Sequence, residues 1–480
     1  MEDKYSNIVD FSKPIEEVIT TLKKKSIEVP TWSDIEKEYD PKKHPILTDS
    51  TLRPKEKTKG GQREVPAKVI YGQEKIATRR MTQMTFAIPV KRVYGTTDES
   101  GKEDPIKVLQ SRAMEKIYKS IRIDGENNNR FKAYFAACEA ATIWYTVESP
   151  NKNYGFDSKF KLRCRSYSPM PQKQSRITQA SIYPIFDEFD DLVIISFEYE
   201  RIEGGDTVKY FETYTFETHY KWKQQGGAWE EAISPEPIYI LKHPVIYIWR
   251  PLPIWEDTST NREEIEFTLS RTSDIIRKNS KPIIKVVGEL EGTAPVGDTA
   301  REVYTLKAGG DLGLVAPPVT TDAVDFYTNQ LQQNTEEELQ LPNLSLTNVK
   351  DLGNIGEGAR KTLLADGHLK VGEEKWDIIR FLDRESNIIK AFLGQMNVQW
   401  KDSIQDLEVE HIITPFVQND KQTDIDTYGK AVSYGLLSRR TALKKLDLVE
   451  NPDTEIELID QELAIEAERA RVVDVFAAGT

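Results

Sequence analysis

The apolar residues that follow Val371 recur at steps of three and four positions. This spacing places them on one side of an α-helix, and the set is Ile378, Ile379, Leu382, Ile389, Phe392, Leu393 and Met396. An apolar side on so long a helix requires a partner surface that covers it. The pattern therefore predicts a long amphipathic helix that packs against other parts of the protein.

Shorter elements are predicted after this helix. The run LEVEHIITPFV is typical of a strand, and the residues after it predict a short helix, a stop at Gly435, an N-cap at Ser438 and another helix. An Asn-Pro pair breaks the pattern, and a last helix begins near Asp453. This last helix is crowded with carboxylates, and we expect its narrow apolar stripe to pack against the helix before it.

Between Lys159 and Trp249 the pattern changes to an alternation rich in β-branched and aromatic residues, which is typical of strands. Turn sequences such as EGGD and QQGGA separate the runs and predict hairpins. The region therefore predicts an antiparallel sheet of five or six strands. Residues 105–147 predict two amphipathic helices separated by a DGENNN turn, so the predicted fold class is α+β.

Two polar helical segments flank a glycine-rich insert. The first spans residues 259–280 and stops before Lys281 and Pro282; at 1.5 Å per residue it is roughly 30 Å long. The second spans roughly Asp322 to Leu341. The insert has short strands and glycine turns and is too small to bury a core by itself. We expect it to be stable where neighbouring copies in a ring cover it.

A polar loop follows the second helical segment. Pro342 ends the helix, and the loop NLSLTNVKDLGNIGEG contains Gly353, Gly356 and Gly358, which allow backbone conformations closed to other residues. The GNIGEG string does not follow a strand, and the chain contains no G-x-x-x-x-G-K-[ST] sequence. The loop is therefore predicted to move, and the chain is not expected to hydrolyse ATP.

Candidate catalytic chemistry is sparse. The five histidines show no H-E-x-x-H or H-x-x-x-H spacing, and Cys138 and Cys164 lack a zinc or nucleophile signature. Glu408, Glu410 and His411 are close in sequence, but alternation along a strand points the two acids one way and the histidine the other. The sequence predicts no enzyme, no catalytic residue, no metal site and no cofactor.

Composition narrows the class of protein. The chain has 480 residues, 38% of them hydrophobic, and a formal net charge of −13. It has no run of about 18 apolar residues, so we expect no membrane contact, and its acidic N-terminal sequence indicates a protein that stays in the cytoplasm that makes it. Proteins that grip DNA gain affinity from basic residues. The acidic net charge is consistent with a protein past which DNA slides without being held. The same net charge is also ordinary for a soluble bacterial enzyme.

Five segments, in their order along the chain, resemble the portal proteins of tailed double-stranded DNA bacteriophages. They are KVIYGQEKIATRRMTQMTFAIPV, HPVIYIWRPLPIWED, QLPNLSLTNVKDLGNIGEGARKTLL, GLLSRRTAL and VENPDTEIELIDQE. The resemblance implies a phage portal fold with a wing, stem helices, a clip, a tunnel loop and a helical crown. It also implies that the subunits assemble as a ring, expected to be a dodecamer.

The resemblance divides the chain into seven parts. They are an N-terminal arm and α+β wing (1–258), a first stem helix (259–280), a clip (281–319), a second stem helix (320–342), a tunnel loop (343–358), a long wing helix and strand (359–420) and a helical crown (421–480). The side chains expected to meet DNA in the tunnel are Asn343, Asn348, Lys350, Asn354, Arg360 and Lys361. The clip residues expected to dock partners are Lys285, Glu289, Arg301 and Lys307.

The implied function is a ring channel at one capsid vertex of the virion, assembled in the host bacterial cytoplasm, for DNA packaging, retention and ejection. The expected partners are further copies of the chain, the terminase large subunit, a head-tail adaptor or neck protein, the major capsid and scaffolding proteins, and double-stranded DNA that passes non-specifically. Two alternatives stay open. One is another oligomeric virion protein, such as a neck or baseplate component, and the other is a hydrolase that uses an unrecognised pair of Asp or Glu residues.

Overall fold

The computed structural model describes residues 8–57, 63–98, 101–172, 177, 179–279, 283–289, 306–315, 321–341, 364–416, 421–446 and 454–465. The chain divides into two units. The first comprises Met1–Asn343 and Asp366–Phe416, and the second comprises Leu344–Ala365 and Val417–Thr480. Every strand that the structure describes lies in the first unit, together with long helices. This mixture confirms the predicted α+β class.

Short helices open the first unit and longer ones build its body. The helices are α1 (Ile15–Leu22), α2 (Trp32–Tyr39), α3 (Pro45–Thr48), α4 (Glu74–Phe86), α5 (Pro105–Ile121), α6 (Ile123–Ala137), α7 (Ser259–Asn279), α8 (Thr321–Leu339) and α9 (Ala365–Met396). Short 3-10 helices span Glu256–Thr258, Val398–Trp400 and Ser403–Asp406. The bounds of α7 and α8 lie within two residues of the two predicted polar helical segments.

The strands form two main sheets and three isolated pairs. They are β1 (Glu56–Lys57), β2 (Arg63–Glu64), β3 (Lys91–Tyr94), β4 (Glu139–Asn151), β5 (Ser158–Tyr167), β6 (Ala180–Phe186), β7 (Leu192–Glu203), β8 (Asp206–Tyr214), β9 (Thr218–Gln225), β10 (Ala228–Pro237), β11 (Val245–Trp249), β12 (Ile283–Val287), β13 (Asp311–Val315) and β14 (Val409–Ile412). The larger sheet has the order β10-β9-β8-β7-β6, and the smaller has the order β11-β4-β5. The predicted single sheet is therefore divided in two, because β5 and β11 both pair with β4.

The prediction of two helices over residues 105–147 is partly wrong. Helix α6 starts at Ile123, so the DGENNN sequence lies in its first turns, and residues from Glu139 onward form β4. The helix ends at Cys138, whose φ of 63° is left-handed. The run ATIWYTV that follows is dominated by β-branched and aromatic residues, which favour a strand. This run also pairs with two neighbouring strands. The pairing stabilises a strand here although the spacing of its apolar residues is also compatible with a helix.

The five-stranded sheet is buried on both faces along β7. On one face, Ile195 and Phe197 share a core with Ile143 and Val245 of the smaller sheet. On the other face, α1 packs its apolar side against Ile194 and the neighbouring strands. Alternate side chains of β7 therefore enter two different cores. Neither face of the strand at these positions points to solvent.

The long helix α9 has the predicted buried side. Ile378, Leu382, Ile389, Phe392 and Leu393 are buried, whereas Ile379 and Met396 at the margins of the stripe are half-buried. Its partner surface is the body of the first unit, since Phe381 on the same side lies edge-on to the Phe131 ring of α6. The amphipathic pattern thus predicted both the helix and the need for a covering surface.

A buried ion pair joins α6 to α9. Arg130 donates to both oxygens of Glu385 at 2.6 and 2.9 Å, and the two residues expose 1% and 0% of their surface. Trp144 of β4 donates its Nε1 proton to the same carboxylate at 3.2 Å. The guanidinium also lies 4.7 Å from the centre of the Phe381 ring. Because either charge alone would be costly in the core, the fold has to bring both together.

The described part of the second unit is helical. Helices α10 (Lys421–Ser433) and α11 (Arg439–Leu446) contact each other, and α12 spans residues 454–465. Gly435 has a left-handed φ of 70°, and the Ser438 hydroxyl accepts the Thr441 N–H at 3.2 Å. The predicted stop at Gly435 and cap at Ser438 are therefore confirmed.

We expect Glu385→Ala to lower the free energy of unfolding by about 3–5 kcal/mol, because it leaves the buried Arg130 charge without its partner. Chemical denaturation measures the loss as a shift in the transition midpoint. The control is Glu373→Ala on the same helix, whose exposed side chain pairs with Lys370 at 3.5 Å. Surface pairs contribute little, so the control should change stability by less than about 1 kcal/mol. Small and equal losses in both variants would contradict this account of the pair.

Candidate functional site

Helices α7 and α8 and the strands β12 and β13 form one hairpin. Strand β12 follows α7, strand β13 precedes α8, and the two strands pair antiparallel. Near the other ends of the helices, Asn261 Nδ2 donates to Glu338 Oε2 at 2.9 Å. The helices therefore run in opposite directions. The sheet of β12 and β13 follows the C-terminus of α7 and precedes the N-terminus of α8. We call this element the α7–α8 hairpin.

Much of the apolar surface of the α7–α8 hairpin is exposed in the single chain. Ile275 and Ile276 of α7 are 49% and 50% exposed, Phe326 of α8 is 73% exposed, and Val287 of β12 is 50% exposed. Exposed groups of large apolar side chains mark surfaces that associate with another molecule. The hairpin is therefore the candidate association surface of the first unit.

A strap of chain, residues 67–71, runs along α7. Alternate backbone N–H groups of the strap donate to α7 side chains at 2.8 Å each, from Ala67 to Asp274, from Val69 to Ser270 and from Tyr71 to Glu266. Two residues of extended chain span about 6.6 Å, and four residues of helix span about 6 Å. Because the two repeats nearly match, side chains of α7 accept hydrogen bonds from alternate N–H groups of the strap. A neighbouring strand would offer its carbonyl groups to the strap at a similar spacing.

A buried histidine lies at the same place on α7. His44 Nδ1 lies 2.6 Å from Glu266 Oε1, and His44 Nε2 lies 2.7 Å from the Glu38 carbonyl oxygen. Both partners are acceptors, so the two hydrogen bonds form together only when the imidazole carries two protons. Burial opposes this charge, but the hydrogen bond to Glu266 and the nearby carboxylates outweigh it, and the pKa of His44 is raised.

Arg262 completes this buried charge cluster. It is 1% exposed and donates to Glu74 Oε1 of α4 at 2.9 Å. Burial raises the pKa of the Glu74 carboxyl despite this pairing. Trp255, just before α7, donates its Nε1 proton to Glu38 Oε2 at 3.1 Å. Directional contacts from α2, α4 and the strap thus hold the first half of α7 in place.

The predicted docking residues of segment 281–319 lie partly within the described ranges. Lys285 is exposed on β12, where it pairs in register with Gly313. Glu289 and Lys307 are also exposed, and Lys307 Nζ donates to Glu289 Oε2 at 2.5 Å. The structure therefore brings these two together as a surface pair. Arg301 lies outside the described residues.

The predicted DNA-contacting residues lie outside the described residues. They are Asn343, Asn348, Lys350, Asn354, Arg360 and Lys361. The structure describes the residues that flank them. Leu341 before the segment is 2% exposed and Leu364 after it is 4% exposed. The described residue on each flank of the segment is therefore a buried leucine.

One cluster in the first unit has the atom order of a hydrolytic triad. His411 Nδ1 lies 2.8 Å from Asp383 Oδ1, and His411 Nε2 lies 3.1 Å from Ser386 Oγ. Sequence reasoning missed this cluster because no motif links α9 to β14. It did predict the alternation of the strand, since His411 is buried while Glu408 and Glu410 are exposed.

The burial of this cluster excludes Ser386 as a catalytic nucleophile. Ser386 is 2% exposed, and its hydroxyl also lies 2.9 Å from Tyr118 OH of α5. A catalytic hydroxyl must reach its substrate, whereas this one lies in the core. Burial also lowers the pKa of His411, although Asp383 opposes that shift. The cluster connects α5, α9 and β14 through polar contacts.

Metal sites, membrane-spanning helices and reactive cysteines are the other candidate features within the described ranges. Among these residues, no group of three or more His, Cys, Asp or Glu is placed to hold a metal ion. No helix in the same ranges is long and apolar enough to cross a bilayer. Cys138 is buried and Cys164 half-buried, and burial raises the pKa of both thiols to about 12. Both cysteines therefore carry little thiolate at neutral pH.

Comparisons with known proteins give one family match and a distant structural likeness. The family described as "Phage portal protein, SPP1 Gp6-like" matches residues 22–469. A search of curated proteins found no match. Among solved structures, "Neck of native GTA particle computed with C12 symmetry" is 8% identical with a TM-score of 0.39, over 90% of this chain and 99% of that chain.

The raised pKa of His44 predicts a loss of stability as pH rises above about 6.5. Because its pKa is raised in the folded protein, its contribution is complete below the unfolded pKa of about 6.5 and is lost as pH rises through the folded pKa. We expect the free energy of unfolding to fall across this interval by at most about 1.4 kcal/mol per pH unit, since one proton is involved. Denaturation at a series of pH values measures this slope.

The slope should be absent in His44→Gln. The control is His368→Gln, which removes a histidine whose Nε2 lies 3.0 Å from the Phe416 carbonyl oxygen, and it should keep the wild-type profile. If His44→Gln kept the full loss of stability with rising pH, another group would be its cause.

Proposed function

The chain belongs to the SPP1 Gp6-like family of phage portal proteins, as its sequence predicts, and from this premise we propose that it assembles as a ring channel for DNA. The family consists of structural, non-enzymatic proteins of the portal vertex of the virion. The expectation that the chain is not an enzyme is therefore confirmed by its family. The match also favours a portal protein over a different oligomeric virion component.

The proposal of a ring rests on the exposed apolar surface of the α7–α8 hairpin. Its sheet has only two strands, and an isolated two-stranded sheet is marginally stable in water. Ile276 and Phe326 stand exposed on its helices. Copies arranged side by side would cover these surfaces, and a closed ring gives every copy the same two neighbours. In this arrangement α7 and α8 are the stem, and β12 and β13 belong to the clip.

The contacts at the base of α7 support this assignment. A stem that guides DNA has to keep its direction while the DNA moves. The strap bonds to Glu266, Ser270 and Asp274, and the buried Arg262 bonds to Glu74. Hydrogen bonds and ion pairs depend on direction as well as distance, so these contacts resist rotation of the helix better than apolar packing alone.

We assign segment 343–358 to the narrowest part of the channel. The candidates for DNA contact are Asn343, Asn348, Lys350 and Asn354, with Arg360 and Lys361 at the start of the next segment. Affinity for DNA rises with the number of phosphates that are neutralised. A few polar residues per copy and a net charge of −13 therefore suit contacts that exchange quickly. DNA would be packaged, held and ejected through this passage.

The clip is the proposed docking surface for partners. Lys285, Glu289, Arg301 and Lys307 are the candidates, and the terminase large subunit and later a head-tail adaptor or neck protein are the expected partners. ATP hydrolysis would belong to that motor. The major capsid and scaffolding proteins are the expected partners of the wing. The number of copies in the ring is proposed to be twelve.

The purified full-length chain should form a ring with an axial hole in negatively stained images. Twelve copies of the 55.0 kDa chain have a mass of about 660 kDa, which native mass spectrometry measures directly. Replacing Ile276 and Phe326 by Asp should release monomers, because charges then replace the apolar contact. The control is Leu241→Asp, an apolar residue that is 82% exposed elsewhere. A wild-type protein that stays monomeric at micromolar concentration would overturn the proposal.

Lys285→Glu should weaken docking of the terminase large subunit by about tenfold, or 1.4 kcal/mol, while the ring persists. Binding of the motor to immobilised rings measures the affinity, and native mass spectrometry checks the assembly. Lys13→Glu makes the same charge change at an exposed residue of the N-terminal arm and should bind as the wild type does. Unchanged motor affinity in Lys285→Glu would remove this residue from the docking surface.

A further inference from the structure

A row of cations occupies alternate positions of β5. Its members are Lys159, Lys161, Arg163 and Arg165, and alternate side chains of a strand project to the same face. On the opposite face Leu162 is fully buried, whereas Phe160 towards the start of the strand is exposed. At about 3.3 Å per residue the row is roughly 20 Å long. We call these four residues the basic row.

The outer members of the basic row have no carboxylate partner. Lys159 and Arg163 are exposed and Lys161 is half-buried, and none of the three makes an ion pair with the residues that the structure describes. The residues opposite them on β4 are uncharged, since Val147 pairs with Lys161 and Tyr145 pairs with Arg163. In an acidic chain, these cations form a local positive surface.

Arg165 at the inner end of the row differs from the other three. Its guanidinium lies 5.5 Å from the centre of the Tyr145 ring, and its Nη1 donates to Tyr167 OH at 3.4 Å. These contacts place Arg165 at the margin of the core between the two sheets. The cations of the row that are open to a partner molecule are therefore Lys159, Lys161 and Arg163.

Protection of a free strand edge does not explain the row. Lysines on an edge strand often prevent it from pairing with another strand, and β5 is an edge strand. Here, however, the Leu162 N–H already donates to Tyr154 OH at 3.1 Å, and the Phe160 carbonyl accepts from Asn151 Nδ2 at 2.9 Å. At Phe160 and Leu162 the outer edge is thus occupied by the chain's own residues, which block an added strand at these positions.

We propose that Lys159, Lys161 and Arg163 bind the phosphate backbone of double-stranded DNA, at a contact separate from segment 343–361. Successive cations are about 6.6 Å apart. Successive phosphates of one strand rise about 3.4 Å along the duplex axis and are also displaced around it, so their separation in space is larger than this rise and comparable with the spacing of the cations. Contacts with phosphates carry no sequence information, so this contact has no sequence preference.

This inference rests on the proposed function in one respect, which is that duplex DNA is the polyanion that the protein meets. It does not require the channel. Three phosphate contacts give weak binding that depends steeply on salt, so such a site would hold DNA without stopping it. The site is thus compatible with DNA movement.

The test measures binding of a relaxed, closed-circular duplex to the full-length protein between 50 and 200 mM salt. A closed circle has no end and cannot enter an axial channel. In the triple variant K159Q, K161Q and R163Q, the slope of log K against log salt should become shallower by about 2.7, or 0.9 for each lost contact. Across this fourfold change in salt, the wild type should therefore lose about 40-fold more affinity than the variant.

The control variant carries K13Q, K24Q and K42Q. It removes three exposed cations that lie elsewhere, so its net charge equals that of the test variant. Its salt slope should equal the wild-type slope. Thermal unfolding of both variants checks that the fold is intact, which we expect because these side chains lie at the surface.

Equal salt slopes in the wild type and both variants would overturn the proposal. An equal reduction in both variants would also overturn it, since overall charge would then be the cause. A test variant that keeps its DNA binding but loses its assembled mass would assign the row to an interface with an acidic surface of another copy. Mass is measured on the same samples, so failure of ring assembly is distinguished from failure of the DNA contact.

Discussion

Three acceptors spaced four residues apart on one helix determine how the α7–α8 hairpin joins the body of the first unit. Buried backbone N–H groups need partners, and the strap at residues 67–71 finds them on Glu266, Ser270 and Asp274 of α7. Glu266 also contacts His44, so one carboxylate serves both the strap and the buried charge cluster. The first half of α7 is consequently held by directional contacts, while Ile275 and Ile276 in its second half are exposed.

The same principle orders the body of the first unit. Arg130 and Glu385 form a buried pair between α6 and α9, and Trp144 ties β4 to it. Apolar packing sets how close these elements come, whereas the fork of the guanidinium sets their relative orientation. In the proposed ring a subunit would use both properties, because its body would stay rigid while its α7–α8 hairpin packs against neighbouring copies.

The distribution of charge also fits a protein through which DNA moves. The chain is acidic overall, and the cations of segment 343–361 are few. The basic row on β5 contains three cations that form no ion pair within the described part of the chain. Weak contacts of the proposed kind are set by phosphate neutralisation and respond to salt, so they would restrain DNA without a sequence-specific hold. The chemistry that drives DNA movement would belong to a partner, which agrees with the burial of Ser386 and His411 in the core.

The sequence by itself determined the features that depend on neighbouring positions: the apolar side of α9, the polar helices α7 and α8, the stop at Gly435, the cap at Ser438, and the family. Only the tertiary structure decided that residues 139–147 form a strand, that the sheet divides around β4, and that the strap, His44 and Arg262 meet at α7. It also decided that Glu289 and Lys307, both predicted as docking residues, pair with each other. Periodicity records which side of an element is buried, but partners such as Arg130 and Glu385 are far apart in the chain, and only the packing of whole elements brings them together.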